Sequence, residues 1–437
     1  MITNLRFQHF KSWNDTGELR FAPLTGFFGS NSSGKTAILR FLLMLKQTVE
    51  SNDQQLVLNL NGGYVELGSF EDVIYQHNVE QKLDFDISMD IENLQVNFSE
   101  IFGINLESAI RYKNESPSIT RNIYTFFKKD KSVYQNYEIV EFDENYTYTD
   151  KQENILIEKK KPYFTSKFYT LPHDFVHPSI LSAGKISIIA LQYFIQNFEE
   201  HFRDMQYLGP IREDPKRFYQ WTGEIRSLGN RGEHAVLVLL ADQKRYSESR
   251  LAKQVAIWLK QLGLIADFRL HQIAPNVDLH EVRVKIKPNA AEVLLTDVGF
   301  GVAQILPVLV LCASAKPGST IILEQPEIYL HPAVQSNLAD ILIETIKRGV
   351  QIVLESHSEH LLHRLQRRIA EEVLSNTDTA LYFCDMDDTG TSHAVPLDVD
   401  QYGNIRNWPK DFFGDEMADL AALSRETIRR KKAEAGR

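Results

Sequence analysis

The sequence predicts an α/β protein with a mixed or parallel core sheet flanked by helices, plus an inserted β-rich and helical lobe. Three observations predict this fold class. Near the N-terminus a short apolar strand runs into a Gly/Ser-rich loop and then into a helix. In the last third, short apolar strands alternate with helices, which is typical of a parallel sheet covered on both faces. Between these parts, residues 82–170 are rich in β-branched and aromatic residues, which favours an inserted sheet.

The composition is that of a globular chain. It has 437 residues, 43% hydrophobic and 24% charged, with a formal net charge of −10. These values exclude disordered and fibrous classes, and the acidity argues against coating nucleic acid by charge alone. The longest apolar run, residues 305–315, is too short to span a bilayer. We therefore expect no membrane partner. Because two cysteines, Cys312 and Cys384, cannot form a disulfide framework, we expect a cytoplasmic protein.

The hydrophobic periodicity predicts the elements in order. Strands are expected at residues 1–10, 24–28, 268–286, 320–323, 351–354 and 380–383. Helices are expected at residues 37–49, 182–203, 233–262, 305–313, 334–346 and 361–373. A lysine triplet, residues 159–161, is interpreted as a solvated loop, and the basic stretch at residues 425–437 as a tail.

The loop after the second strand matches the pattern G-x-x-x-x-G-K-[ST] in the required strand–loop–helix context. Its glycines let successive amide groups turn inward around a phosphate, and the following helix N-terminus favours anions. The lysine is expected to reach the β- and γ-phosphates of ATP, and the threonine hydroxyl to bind Mg²⁺. The predicted ATP-binding residues of this loop are Gly29, Ser30, Asn31, Ser32, Ser33, Gly34, Lys35 and Thr36.

A buried strand at residues 320–323 delivers carboxylates to the same sheet edge, as a Walker B strand does. Glu324 is the expected second Mg²⁺ ligand. Gln325 follows it where a catalytic glutamate is usual, and an amide cannot accept the proton of an attacking water. Either hydrolysis is slow, or Glu327 or Glu324 supplies the base. For Glu327, a carboxylate at a helix start is an equally good interpretation.

Two further segments complete the predicted nucleotide site. A glycine turn opens the apolar helix at residue 305, and its amides could bind the γ-phosphate held by a second subunit. The residues of this signature-like loop are Gly299, Phe300, Gly301 and Gln304. His357 leaves the next buried strand, in position to hydrogen-bond the γ-phosphate. His360 and His363 share its helical spacing, but we interpret them as polar helix-face residues and not as metal ligands.

Together these motifs resemble the ABC-type ATPase heads of the SMC, RecF and OLD group. The opening LRFQHFKSW is similar to that group's N-terminal strand and turn, PEIYLHP to the element after Walker B, and SHS to the switch histidine. The segments GPIREDPKRFY, LEQPEIYLHP and ESHSEHLLHRLQRR resemble a compact bacterial ATPase family associated with anti-phage defence. The resemblance implies a role for Lys11 in ATP binding; Gln76 is a weak candidate for a Q-loop.

The resemblance implies a division of the chain. Residues 1–78 and 296–400 are expected to form the ATPase core, 79–204 an inserted lobe, 205–295 a helical and strand lobe, and 401–437 a tail. Eighty residues follow His357. We therefore expect no added nuclease domain and an effector encoded as a separate chain.

Three functions remain in competition. The first is an ATPase subunit that forms at least a dimer through ATP and controls a separate effector, a nuclease or toxin, in anti-phage defence. The second is a RecF- or SMC-like head that binds DNA in DNA maintenance, motivated by the lysine triplet, by Arg212, Lys216 and Arg217, and by the basic C-terminal tail. The third, a membrane-transporter ATPase, ranks last because the signature-like loop lacks the signature sequence of transporters.

Overall fold

The computed structural model describes residues 1–53, 56–91, 101–113, 115–142, 145–150, 155–160, 188–223, 225, 227–246, 249–409 and 424–428. Lys161, the first part of the helix predicted at residues 182–203, and the tail beyond residue 428 lie outside these ranges. Three sheets, eight α-helices and a further helical stretch at residues 424–428 are found within them. The helices are α1 (Lys35–Glu50), α2 (Phe70–Val73), α3 (Ile188–Asp204), α4 (Ala235–Arg245), α5 (Arg250–Gln261), α6 (Phe300–Ser314), α7 (Pro332–Lys347) and α8 (Glu359–Ala370).

The central sheet is the one predicted from the alternating apolar strands and helices. Its strands are β4 (Leu24–Gly29), β11 (Gln206–Leu208), β16 (Thr320–Glu324), β17 (Gln351–Glu355), β18 (Thr379–Met386) and β19 (Ser392–Pro396). They lie in the order β11-β16-β17-β4-β18-β19, and only the pairing of β18 with β19 is antiparallel. The sheet is therefore mixed, and β4, β16 and β17 end at one edge.

Helices and a second sheet cover both faces of the central sheet. Along β16 and β17, Ile322 and Val353 face one hydrophobic cluster, which contains α1. Their neighbours Leu323 and Leu354 face the other cluster, which contains α6, α7 and α8. Continuous apolar strands are stable here because side chains on both faces are removed from water. The α/β fold class is confirmed.

The β-rich segment is an antiparallel sheet, as predicted. Its strands run in the order β10-β9-β8-β7-β6-β5-β1-β2, with β3 also paired to β1. They are β1 (Ile2–Phe10), β2 (Trp13–Asp15), β3 (Leu19–Arg20), β5 (Leu83–Asp90), β6 (Gly103–Lys113), β7 (Ser116–Phe127), β8 (Val133–Phe142), β9 (Asn145–Asp150) and β10 (Ile155–Lys160). The N-terminal strand thus shares a sheet with the inserted strands. Lys159 and Lys160 lie in β10, so the loop interpretation was wrong for them.

The third sheet, α4 and α5 belong to the hydrophobic cluster that contains α6, α7 and α8. The strands are β12 (Tyr219–Gln220), β13 (Asp267–Ala274), β14 (Val277–Lys285) and β15 (Val293–Leu294). The single helix predicted at residues 233–262 is two helices, α4 and α5. Tyr246 adopts extended backbone angles after α4, and the Asp242 carboxylate accepts a hydrogen bond from the Leu251 amide at the start of α5. This side-chain bond satisfies a helix-terminal amide and explains the break.

No helix in the described ranges combines the length and apolarity that crossing a bilayer requires.

A polar cavity of about 230 Å³ lies on the antiparallel sheet, lined by charged side chains of β1, β5, β6 and β7. Asp86 of β5 lies directly across from Arg6 of β1 and Glu107 of β6. Burial raises the pKa of Asp86 to about 6, and the negative charge of Glu107 acts in the same direction. The charge of Arg6 and a hydrogen bond from Asn105 act in the opposite direction.

We expect Asp86→Asn to be more stable than the wild type above pH 6, by about 1 kcal/mol after discounting for partial exposure. The folded wild type retains a proton that the unfolded chain releases, so it loses stability as pH rises from about 4 to about 6. Asparagine does not titrate, and the advantage should vanish below pH 4. Urea unfolding at a series of pH values measures it, with the exposed Asp388→Asn as control. An advantage independent of pH would contradict the assignment.

Candidate functional site

The glycine loop between β4 and α1 folds around the Lys35 side chain. Positive φ angles occur at Gly29 (137°), Ser32 (62°) and Gly34 (89°). The Lys35 ammonium donates hydrogen bonds to the carbonyl oxygens of Gly29 and Ser30 and to Ser33 Oγ. Burial lowers the pKa of Lys35, whereas the charge of Glu355 acts in the opposite direction. A buried cation inside a loop at a helix N-terminus fits a bound phosphate.

The two glycines of this loop are also required by packing. A Cβ atom on Gly29 would lie 2.0 Å from the Cys384 carbonyl oxygen of β18. One on Gly34 would lie 2.4 Å from Ser392 Oγ of β19 and 2.8 Å from Trp13 Nε1. The Trp13 indole in addition donates a hydrogen bond to the Gly34 carbonyl at 3.0 Å. The glycines therefore allow the neighbouring strands to support the loop as well as allowing its turn.

Two glutamates meet at the edge where β16 and β17 end. Glu324 and Glu355 are paired residues in the parallel ladder, and both are buried. Thr36 Oγ1 donates a hydrogen bond to Glu355 Oε2 at 2.8 Å, and Tyr207 Oη donates one to Glu324 Oε1 at 3.1 Å. Burial, assisted by the charge of Glu355, raises the pKa of Glu324 to about 7. Thr36 and Glu324 are the predicted Mg²⁺ ligands, and the hydrogen bond of the Thr36 hydroxyl is to Glu355.

Sequence reasoning did not single out Glu355. Burial also raises its pKa, while hydrogen bonding from Thr36 and the charge of Lys35 act in the opposite direction. The signal that could have identified it is its position. It is the last residue of a second buried parallel strand, and the carboxyl ends of such strands form the ligand-binding edge of an open sheet.

Gln325 lies beside this pair. Its backbone has a positive φ of 44°, and its amide donates a hydrogen bond to the Glu355 carbonyl at 2.8 Å. The Gln325 side chain also acts on the Glu355 carboxylate and opposes the rise in its pKa. The backbone at the usual position of a catalytic glutamate is therefore held by Glu355.

Glu327 anchors the turn that carries His357. Its Oε1 accepts hydrogen bonds from Ser356 Oγ and from the His357 amide, each at 2.8 Å. Burial raises the pKa of Glu327. The helix-start interpretation was wrong, because α7 begins only at Pro332. The carboxylate instead replaces a missing backbone partner in the turn after β17.

His357 meets the phosphate loop, as predicted. Its side chain is about one-third exposed, its Nε2 lies 4.0 Å from Glu355 Oε1, and it lies near enough to the Gly29 backbone for that group to act on its pKa. Burial and the charge of Lys35 lower its pKa. His360 and His363 are exposed on α8. Within the described ranges no group of three or more His, Cys, Asp or Glu residues could hold a metal ion.

The remaining predicted residues lie around this centre. Lys11, with a φ of 53°, donates hydrogen bonds to the carbonyls of Leu67 and Asp72, so its ammonium is bound to that neighbouring segment. Gln76 is exposed, and its amide donates to the Tyr75 hydroxyl. Neither contact involves the phosphate loop.

The signature-like loop lies beside the turn that follows β16. Gly299 is the N-cap of α6. The Phe300 ring is 48% exposed and packs edge to face on Tyr329, 63% exposed, with ring centroids 4.9 Å apart. Gln304 is buried, and its Nε2 has no hydrogen-bond partner among the described residues. The loop presents an exposed aromatic pair next to the sheet edge that carries Glu324 and Glu355, here called the carboxylate edge.

Arg217 lies on the surface and forms an ion pair with Asp297 at 2.8 Å. Arg212, in contrast, is buried next to the carboxylate edge. The Arg212 guanidinium is 4% exposed, and its Nη2 donates to the carbonyls of Glu324 and Gln325. Its Nε and Nη1 have no hydrogen-bond partner in the part of the chain described. Burial lowers the pKa of Arg212 to about 10, opposed by the charge of Glu327.

A family model described as "AAA domain, putative AbiEii toxin, Type IV TA system" matches residues 24–363. A second, described as a protein of unknown function (DUF3696), matches residues 374–423. No curated protein sequence matches the chain significantly.

Solved structures of SMC heads are similar to the chain over 91% of its length. An SMC head bound to the C-terminal winged-helix domain of ScpA is 13% identical, is covered over 97% and gives a TM-score of 0.45. The SMC head domain from Thermotoga maritima is 13% identical, with 99% covered and a TM-score of 0.38. An SMC head with an extended coiled coil, bound to the ScpA C-terminal domain from Pyrococcus furiosus, is 11% identical, with 96% covered and a TM-score of 0.42.

We expect Arg212→Met to destabilise the fold by about 1–3 kcal/mol, because it leaves the carbonyls of Glu324 and Gln325 without this donor and removes a positive charge that acts on Glu327. Glu327→Gln keeps an oxygen that can accept from Ser356 and His357. The double variant should therefore be less destabilised than the sum of the single variants, with a coupling of about 1 kcal/mol or more. Urea unfolding of the four proteins measures it, and strict additivity would contradict the proposed coupling.

Proposed function

The chain belongs to the AAA-domain family whose model matches residues 24–363, and we propose that it is an ATP-binding, slowly hydrolysing ATPase. We further propose that two copies dimerise through ATP and thereby control a separate effector protein, a nuclease or toxin, in a prokaryotic anti-phage defence complex in the cytoplasm.

One observation carries the nucleotide-binding part of the proposal. The buried Lys35 ammonium, the Thr36 hydroxyl and the His357 side chain come together from a loop and a strand end that are more than 300 residues apart. The carboxylates of Glu324 and Glu355 lie at the same edge. Cationic, hydroxyl and carboxylate groups in this arrangement fit a triphosphate with its divalent cation.

The chemistry of each side chain indicates its role at the proposed nucleotide site. The loop amides and Lys35 would bind the phosphates, and Thr36 with a carboxylate at the ends of β16 and β17 would hold Mg²⁺, which neutralises phosphate charge when bound. His357 would report the γ-phosphate through the segment that Glu327 anchors. Gln325 can orient a water but cannot take its proton, which supports slow hydrolysis.

The dimer is supported by the exposed surface at the start of α6. Phe300 and Tyr329 form an aromatic pair on the surface, and apart from its chain neighbours no atom of the described residues lies within 4 Å of a Cβ placed on Gly299. The first amides of a helix have no partner within that helix. A second copy that carries ATP would supply both an anion for these amides and a surface for the rings. The toxin–antitoxin wording of the family description supports the part of the proposal in which the chain acts together with a toxic effector.

DNA binding is the weaker alternative. Of the basic residues that motivated it, Arg217 is paired with Asp297, Lys216 lies 3.8 Å from Glu213, and Arg212 is buried. These charges are already partly neutralised within the chain. Steep weakening of DNA binding with salt would be the sign of this alternative.

We expect Lys35→Ala to weaken binding of a slowly hydrolysed ATP analogue with Mg²⁺ by about 10–100-fold, because a charge-assisted bond to phosphate contributes about 1.5–3 kcal/mol. Isothermal titration calorimetry measures affinity, and light scattering measures the nucleotide-dependent dimer, which the variant should lose. Lys260→Ala, on the exposed surface of α5, is the control. Equal affinity in all three proteins would refute nucleotide binding at this loop.

We expect Gln325→Glu to raise the turnover number about 100-fold or more, because it supplies the missing proton acceptor. The phosphate-release rate at saturating ATP measures it. Gln325→Ala, which removes the amide without adding a carboxylate, should give no gain. A rate for Gln325→Glu within two-fold of the wild type would assign the base to another residue.

A further inference from the structure

We propose that Glu355, the last residue of β17, is the principal carboxylate that holds the divalent cation of the bound nucleotide together with Thr36. This inference rests on the proposed function, because the cation arrives with the triphosphate. It departs from the sequence pattern, in which Glu324 occupies the Walker B position.

The contact distance fits this role. Thr36 Oγ1 and Glu355 Oε2 are 2.8 Å apart. In octahedral Mg²⁺ coordination with bonds of about 2.0–2.1 Å, neighbouring ligand oxygens are about 2.9 Å apart. The two oxygens therefore already have the separation of adjacent ligands, whereas the hydrogen bond of Glu324 Oε1 is to Tyr207 on the other side.

Sheet geometry also favours Glu355. Its strand pairs directly with β4, which leads into the phosphate loop, and Glu355 is paired with Phe27 of that strand. Glu324 is one strand further away. Since neighbouring strands are about 4.8 Å apart, the Glu324 backbone lies about twice as far from β4 as the Glu355 backbone.

The surroundings of Glu355 hold it in place. It is 3% exposed, its carbonyl accepts from the Gln325 backbone amide, and its carboxylate accepts from Thr36. Mg²⁺ in nucleotide sites is bound by one or two protein carboxylates together with the substrate phosphates. Thr36 and Glu355 supply such a partial set, with Glu324 in the adjacent position.

The test measures how strongly Mg²⁺ increases affinity for a slowly hydrolysed ATP analogue. Calorimetry in Mg²⁺ and in EDTA gives the ratio of the two affinities for the wild type and two variants. Glu355→Gln keeps the side-chain length and an oxygen that accepts from Thr36 but removes the charge. Glu324→Gln, at the paired position of the next strand, is the matched control. Thermal unfolding without nucleotide shows whether each variant is folded.

We expect Glu355→Gln to reduce the ratio about ten-fold or more, to leave affinity in EDTA equal or higher, and to lower the affinity for Mn²⁺ in the nucleotide complex, read by electron paramagnetic resonance. Glu324→Gln should reduce the ratio less. A loss confined to Glu324→Gln, or a wild-type ratio near one, would overturn the proposal.

If Glu355→Gln does not fold, Glu355→Asp, which keeps the charge but shortens the reach, should still reduce the ratio. An unchanged ratio in that variant would overturn the proposal. A wild type that binds no nucleotide even with Mg²⁺ would refute the proposed function itself, a result distinct from nucleotide binding with an unchanged Mg²⁺ effect in Glu355→Gln.

Discussion

The parallel register of β4, β17 and β16 is the constraint on which the site depends. It places Phe27 beside Glu355 and Glu355 beside Glu324, so the strand that enters the phosphate loop and the two carboxylates end at one edge. A shift of one residue in this register would turn a carboxylate to the other face of the sheet. The two apolar clusters that cover the sheet fix the register, because each strand buries alternate residues in each cluster.

This edge concentrates buried charge. Lys35, Arg212, Glu324, Glu327 and Glu355 are all buried at or next to the ends of these strands. Burial lowers the pKa of the two cations and raises the pKa of the three carboxylic acids. Such a group of charges costs folding free energy unless its members compensate one another. Clusters of perturbed pKa values are typical of functional sites, which supports the assignment of this edge.

Hydrogen bonds divide the carboxylates into different roles. Glu355 faces Thr36, Glu324 faces Tyr207, and Glu327 holds the turn that carries His357. The Gln325 backbone amide donates to the Glu355 carbonyl. His357 lies beside the glycine loop, where the charge of Lys35 and the Gly29 backbone both act on its pKa. Arg212 supports the same turns from below through the carbonyls of Glu324 and Gln325.

The sequence by itself determined the phosphate loop, the strands that flank it and the position of His357 at a strand exit, because these follow from local spacing and from apolar runs. The sequence did not predict the break between α4 and α5. There the Asp242 carboxylate accepts a hydrogen bond from the Leu251 amide, where a continuous helix was expected. Only the tertiary structure decided that Thr36 bonds Glu355, that Glu327 anchors a turn and that Arg212 is buried. Those contacts join residues brought together by strand register and packing, and neither composition nor periodicity records which side chains meet across a sheet.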